Sequence, residues 1–114
     1  MDKTAWELIL PEGMLDYFEV TSVDCLEDRY SIYLLEKNLL SGEFEGLSLE
    51  SKGFYDQITV KDFPLRGKAC YLHVKRRRWL DKSSSRTISR DWKLLANGTR
   101  LTREFADFLK ALYR

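Results

Sequence analysis

The sequence has little histidine, cysteine or proline and no long apolar run, and each shortage excludes a class of protein. Among its 114 residues are one histidine, two cysteines and two prolines. No stretch of about 18 consecutive apolar residues is present, so we expect no transmembrane helix. The N-terminus lacks a basic segment followed by a long apolar stretch. We therefore expect no secretory signal, and a cytoplasmic protein.

The shortage of histidine and cysteine also argues against metal binding and catalysis. His73 is the single histidine, and no H-E-x-x-H, C-x-x-C or G-x-S-x-G motif occurs. Cys70 lies three residues before His73, on the opposite face of any strand that contains both. We therefore expect no metal site, no cofactor and no enzyme activity, with His73 in a structural role. Cys25 and Cys70 are predicted to be free thiols.

The charges are distributed unevenly along the chain. Residues 1–60 carry four basic and 13 acidic side chains, a net charge of −9, whereas residues 61–114 carry 15 basic and five acidic ones, a net charge of +10. In a single domain spanning 1–114, this predicts an acidic face and a basic face, and a basic face is typical of nucleic-acid binding. Attraction between the halves explains part of the pattern, but not the four consecutive cations at 75–78.

The first half of the chain contains patterns of a helix and a hairpin. Thr4-Ala5-Trp6-Glu7 has the capping-box form and predicts a short helix over 4–10. β-branched and aromatic residues predict two hairpin strands at 18–25 and 30–37. The acidic, glycine-containing stretch 38–56 is predicted to be an irregular connection.

The second half predicts three more strands and a second helix. The strands are expected at 57–64, 69–79 and 86–95, with a tight turn at Arg66-Gly67-Lys68 and a flexible loop at 82–85. Apolar residues at helical spacing predict a C-terminal helix that begins at Thr99 or Thr102. The expected fold is α+β, an antiparallel sheet of about five strands with a short N-terminal and a longer C-terminal helix.

The strand predicted at 69–79 ends in a basic run followed by a tryptophan. Basic side chains neutralise phosphates and release counterions, arginine reads guanine edges, and Trp79 either stacks on a base or packs in the protein. Arg86 and Arg90 are expected close to this run on a neighbouring strand. The predicted DNA-binding residues are Lys75, Arg76, Arg77, Arg78, Trp79, Arg86, Arg90, Lys93, Arg100 and Arg103. The alternative is that these charges protect a sheet edge from pairing with another chain.

Three segments together resemble the N-terminal region of bacterial insertion-sequence transposases of the ISAon type, relatives of the ISL-three group. They are LILPEGMLDYFEV, VKDFPLRGKACYLHVKRRRWLD and SRDWKLLANGTRLTREFADFLKAL. In the larger group this region is zinc-ribbon-like, precedes a helix-turn-helix and a DDE catalytic domain, and helps to bind terminal inverted repeats. The resemblance implies a DNA-binding accessory module without catalytic activity. Its implied partners are double-stranded DNA and a separate catalytic transposase subunit.

The sequence departs from the zinc-ribbon pattern in its cysteines. No cysteine stands near Asp81, and the earlier cysteine pair is missing from 38–56. The resemblance therefore implies a degenerate, metal-free version of the fold, in which apolar sheet residues replace the metal: Ile32, Ile58, Val60, Leu72 and Val74. An alternative function is a protein-interaction module, in which the acidic N-terminal half or the C-terminal helix docks the catalytic subunit. The residues alone do not separate DNA from RNA.

Overall fold

The protein folds into two β-sheets and short helices, an α+β arrangement. A computed structural model describes residues 3–39, 44, 47–90, 92 and 103–112. The helices are α1 (Lys3–Ile9), α2 (Met14–Tyr17) and α3 (Arg103–Leu112), and the strands are β1 (Phe18–Cys25), β2 (Arg29–Glu36), β3 (Leu49–Phe54), β4 (Ile58–Leu65), β5 (Lys68–Lys75), β6 (Arg77–Asp81) and β7 (Arg86–Ile88). None of the described helices is both long enough and apolar enough to span a membrane.

The larger sheet contains four strands in the order β1-β2-β5-β4. Strands β1 and β2 form the predicted antiparallel hairpin, which is confirmed. Strand β5 lies between β2 and β4, parallel to the first and antiparallel to the second. The purely antiparallel sheet predicted from the sequence is therefore wrong. Alternation of apolar residues identifies a strand, but it carries no information on which strand lies beside it or in which direction.

The smaller sheet contains three strands in the order β3-β6-β7. The strand predicted over 69–79 ends at Lys75, and the chain continues from Arg77 as β6 in this second sheet. The predicted connection at 38–56 includes β3. Of the strand predicted at 86–95, the described residues form β7, and Ser89 and Arg90 lie outside it. Two sheets thus replace the single sheet of five strands. Pairing with β6 makes a strand of Leu49–Phe54, although its glycine and charges weaken the local signal.

The main core lies between the helices and one face of the four-stranded sheet, which we call the inner face. Its residues are Trp6, Leu10, Met14, Leu15, Phe18, Ile32, Leu34, Cys70, Leu72, Val74, Trp92, Phe108 and Leu109. The predicted packing of Ile32, Leu72 and Val74 is confirmed, and Val60 packs at the margin of the cluster. Side chains from α1, α2 and α3 all join this cluster, so the described helices pack on the inner face.

Two tight turns connect neighbouring strands. Arg66 and Gly67 join β4 to β5 with φ angles of 53° and 77°, as in a two-residue turn of the type that matches strand twist. The predicted tight turn is therefore confirmed. Between β6 and β7, the carboxylate of Asp81 accepts hydrogen bonds from the Ser83 amide and the Ser83 and Ser84 hydroxyls. These bonds hold the pKa of Asp81 below its usual value, and they organise the loop at 82–85.

The two cysteines are free thiols in different environments. Cys25 is exposed and Cys70 is buried. Both pair with Tyr30 across the sheet, so their Cα atoms are about 10 Å apart, too far for a disulfide. Burial, reinforced by the charge of Asp62, raises the pKa of the Cys70 thiol to about 11.

We expect only one thiol of the folded protein to react rapidly with Ellman's reagent at pH 8. Cys25 is accessible, whereas Cys70 is buried and, with a pKa of about 11, only about one molecule in a thousand carries its thiolate. Because this pKa lies above the unfolded value, the thiol stabilises the fold at neutral pH, and the contribution declines above about pH 8.5. If two thiols per chain reacted rapidly without denaturant, that result would contradict the burial of Cys70.

Candidate nucleic-acid interface

The four consecutive cations at 75–78 do not share one surface. Lys75 is exposed at the end of β5, and Arg78 is exposed on β6. Arg76, between the two sheets, is half-buried with its guanidinium 5.3 Å from the ring centre of Tyr55. Arg77 is half-buried and binds other parts of the protein, as described next. The change of sheet at Arg76 therefore sends neighbouring charges in different directions.

Arg77 is engaged in internal contacts. Its backbone amide donates to Oε1 of Glu36 at 2.9 Å, and its Nε donates to the Glu36 carbonyl oxygen at 3.1 Å. Its Nη1 donates to the Ser51 hydroxyl at 2.6 Å, and its guanidinium lies 4.6 Å from the ring centre of Phe54. Arg77 thus connects β2, β3 and β6, and its guanidinium binds groups of the protein itself.

Arg90 binds the other oxygen of the same carboxylate. Its Nε lies 3.2 Å from Oε2 of Glu36, and both side chains are buried, with 7% and 0% exposed. Its Nη2 donates to the carbonyl oxygen of Leu39, and its guanidinium lies within 5.1 to 5.7 Å of the ring centres of Tyr17, Phe44 and Trp92. Burial raises the pKa of Glu36, while the hydrogen bonds and charges of Arg77 and Arg90 oppose that rise. We call Glu36, Arg77 and Arg90 the buried ion cluster.

Trp79 on β6 has a buried side chain. Its side chain is 0% exposed, packs against Phe44 and donates its indole N–H to Asn38 Oδ1 at 2.9 Å. In an uninterrupted strand over 69–79, Trp79 would share a face with Tyr71 and His73, but the strand ends at Lys75 and a new strand begins at Arg77. Neither Trp79 nor Arg90 offers a surface to a polyanion, so we remove both from the set of DNA contacts and correct the sequence interpretation accordingly.

The exposed cations collect around the smaller sheet. Arg78 donates from Nε to the carbonyl oxygen of Lys52 on β3, which brings two cations together. Lys82 and Arg86 are exposed at the turn between β6 and β7. Within residues 49–54 and 77–88 the exposed charges are therefore four cations and one acid, Glu50, which pairs with Lys52 at 3.7 Å. Arg86 pairs with Asp81, three residues from Arg78 on β6, so Arg78 and Arg86 start on opposite faces of this sheet. We call the exposed charges on and around the smaller sheet the basic sheet surface.

The other predicted contacts are spread more widely than expected. Arg86 pairs with Asp81 at the far end of β6, about 10 Å along the strand from Arg78. Lys93 and Arg100 lie outside the described residues, as does the side chain of Arg103 at the start of α3. Arg90 does approach the basic run as predicted, but it does so inside the buried ion cluster.

In the described part of the chain, no group of three or more histidine, cysteine, aspartate or glutamate side chains is placed to hold a metal ion. His73 is a packed histidine: its ring stacks on Tyr33 at a centroid distance of 4.6 Å, and its Nδ1 lies 2.9 Å from the Thr59 hydroxyl. These contacts are the kind that hold a side chain in place.

The sequence interpretation missed Glu36 and Lys52. A signal for Glu36 was present, because Ile32, Leu34 and Glu36 alternate on one face of β2 and the first two are core residues. A carboxylate that continues an apolar face requires a buried cationic partner. No local signal pairs Lys52 with Arg78, since 26 residues separate them.

Comparisons with protein-family models, with curated proteins and with solved structures found no match.

Proposed function

We propose that this protein is a non-enzymatic DNA-binding accessory module of a transposition system, located in the cytoplasm, which helps to recognise the ends of an insertion sequence. The observation that carries the proposal is the basic sheet surface, which contains four exposed cations and one exposed acid. The resemblance of the sequence to transposase N-terminal regions supplies the biological setting. The degenerate, metal-free zinc-ribbon-like fold is part of the same proposal.

We propose double-stranded DNA as the ligand because the exposed cations cluster on one small sheet. Lys52 and Arg78 lie together on one face. Arg86 pairs with Asp81, about 10 Å along β6 from Arg78 and on the opposite face, so it would contact the duplex from the edge strand β7. Arg76 lies next to this surface, at the junction of the two sheets. The proposed duplex contacts are Lys52, Arg76, Arg78, Lys82 and Arg86; Lys75 lies on the larger sheet and is not among them. Arg77 supports the smaller sheet through its internal contacts.

Replacing Arg78 and Arg86 with glutamine is expected to weaken duplex binding and its salt dependence. Each lost phosphate contact reduces the steepness of log K against log salt by about 0.9. The loss of two contacts is therefore expected to weaken binding by about 60-fold at 0.1 M salt. Both side chains are exposed, so the fold remains intact. Fluorescence anisotropy with a labelled duplex at several salt concentrations measures both quantities.

The matched control removes two charges elsewhere. Arg66 in the β4–β5 turn and Lys110 on α3 are exposed, and R66Q/K110Q has the same net charge as R78Q/R86Q. Equal losses in the two variants would contradict a specific surface and indicate a response to net charge. Arg77 is kept in every variant, because its removal would also disrupt the buried ion cluster.

The link to transposition is tested by sequence preference. A duplex that carries the terminal inverted repeat of the element encoding this chain is expected to bind more tightly than a scrambled duplex of equal length. Each mismatched base pair in a specific site typically costs about 1–3 kcal/mol. Equal affinity for both duplexes would be consistent with DNA binding but would contradict recognition of the element's ends.

A second candidate function is docking of a separate catalytic transposase subunit. It is favoured by exposed apolar side chains in the acidic half of the sequence: Leu8 is 85% exposed, and Leu26, between β1 and β2, is 44% exposed. Glu27 and Asp28 beside Leu26 are exposed acids. Co-purification with the catalytic subunit, together with no affinity for duplex DNA at low salt, would favour this function over the first.

A further inference from the structure

The four-stranded sheet has a second face, opposite to the core, that carries aromatic and basic side chains. We call it the outer face. Across β2, β5 and β4 the register aligns Tyr33 with His73 and Thr59, and in the next row it aligns Ser31 with Tyr71 and Lys61. Because alternate residues of a strand point to the same side, these two rows lie on one surface. The stacking of Tyr33 on His73 and the contact from His73 to Thr59 agree with this placement.

The rings of the outer face are arranged in a grid on the central strands. Tyr71 and His73 are two residues apart on β5, a separation of about 6.7 Å. Tyr33 lies beside His73 with an angle of 23° between the ring planes. Phe63 continues the alternation of Thr59 and Lys61 on β4 and is 68% exposed. Tyr33, Tyr71 and His73 are half-buried, so part of each ring remains at the surface.

Three of the four strands carry only basic charges on this face. The outward positions of β2, β5 and β4 have three exposed cations and no acid: Arg29, which pairs with Asp28 at 3.7 Å, Lys61 and Lys75. The acids of the sheet on this side, Glu19 and Asp24, are confined to the edge strand β1. Helix side chains from α1, α2 and α3 pack on the inner face. A flat surface with rings at its centre and cations around them therefore faces solvent in the described part of the chain.

From this arrangement we infer that the outer face binds single-stranded nucleic acid, with bases stacked on Tyr71 and against the exposed parts of the stacked Tyr33–His73 pair, and phosphates held by Lys61 and Lys75. Open sheets bind unpaired bases in this way, because an aromatic ring on a central strand stacks on any base while marginal cations neutralise the backbone. Paired bases cannot reach such rings. The outer face is thus a different site from the basic sheet surface, and the inference does not depend on the proposed duplex contacts.

The test uses labelled oligonucleotides of about ten nucleotides, oligothymidine and oligouridine, together with the duplex used above. In the variant Y33L/Y71L the rings are lost while apolar side chains remain, and oligonucleotide affinity is expected to fall about tenfold or more for each ring removed. Y33F/Y71F retains the rings and is expected to bind as the unmodified protein does. Duplex binding through Arg78 and Arg86 is expected to be the same in all three proteins.

A covalent readout on the unmodified protein makes the test independent of the variants' folding. Ultraviolet crosslinking of an oligonucleotide that carries 5-iododeoxyuridine, followed by mass spectrometry, is expected to modify Tyr33, Tyr71 or His73. Stronger binding of oligothymidine or of oligouridine would identify DNA or RNA as the ligand, and either result supports the stacking face. Crosslinks confined to other residues, equal affinity of Y33L/Y71L and the unmodified protein, or no oligonucleotide binding at low salt would overturn it.

Discussion

Replacing Arg90 with methionine is expected to lower the free energy of unfolding by about 3–5 kcal/mol, because it leaves a buried charge without its partner. The carboxylate of Glu36 is 0% exposed and accepts a hydrogen bond from Arg90 at 3.2 Å. Methionine fills much of the space beside the rings of Tyr17, Phe44 and Trp92. The decrease in the free energy of unfolding therefore comes mainly from the lost charge and less from lost volume. Urea unfolding followed by circular dichroism measures the effect.

The second variant in this test removes the charge from both partners. In E36Q/R90M, the glutamine carbonyl still accepts the backbone N–H of Arg77, which donates to Glu36 Oε1 at 2.9 Å in the unmodified protein. The double variant is therefore expected to be more stable than R90M alone, since neutral replacements of a buried pair often cost little. A surface substitution usually changes the free energy of unfolding by no more than about 0.5 kcal/mol. If R90M differs from the unmodified protein by no more than this, the buried ion cluster does not stabilise the fold.

Replacing Trp79 with alanine is expected to cost about 3–5 kcal/mol of stability, the range for truncating a large buried aromatic side chain. Trp79 is 0% exposed, packs on Phe44 and anchors Asn38 through its indole N–H. Because β6 holds Trp79 and Arg78 next to each other, loss of this side chain also disturbs the basic sheet surface. A thermal melt and near-ultraviolet circular dichroism measure the change.

The variant W79F separates packing from hydrogen bonding. Phenylalanine keeps an aromatic ring but lacks the donor to Asn38 Oδ1. Asn38 is exposed and can bind water instead, so we expect a smaller loss, about 0.5–1.5 kcal/mol for the hydrogen bond plus the cost of the unfilled volume. A surface tryptophan that stacked on a base would behave differently. Its removal would weaken nucleic-acid binding and leave the melting temperature unchanged, and that result would contradict the buried position.

The sequence predicted the inner face of the larger sheet well, because that face depends on local alternation. Ile32 and Leu34 on β2, and Leu72 and Val74 on β5, are the buried residues that a period of two picks out. The helix predicted over 4–10 is α1, Lys3–Ile9, and the C-terminal helix is α3. These elements form from interactions between residues close together in the chain, which is the information a single sequence contains.

The division into two sheets could not be predicted in the same way. It depends on Glu36, 41 residues before Arg77, which binds the backbone of the chain where β6 begins. It also depends on the parallel pairing of β2 with β5, which leaves β4 on the other side of β5 and β3 in the smaller sheet. Such contacts between distant residues override local strand preference, and for this reason an uninterrupted pattern at 69–79 forms two strands.

The candidate site illustrates the same limit for function. The run of cations at 75–78 correctly marks a basic part of the molecule, but its members have different structural roles. Arg77 binds Glu36 and Ser51, Arg76 packs on Tyr55, and Arg78 is exposed beside Lys52. A sequence lists charges in order, whereas burial determines which of them remain for a ligand. Arg90 shows this most clearly, because it combines a charge typical of DNA contacts with an interior position.

The most direct measurement is the affinity of the unmodified protein for a duplex of random sequence, determined by fluorescence anisotropy over a range of salt concentrations. With four to six phosphate contacts, we expect saturable binding and a slope of log K against log salt of about −4 to −5. Absence of saturable binding at the lowest salt concentration would contradict the proposed function. The exposed cations of β3, β6 and β7 would then serve to protect the edges of the smaller sheet.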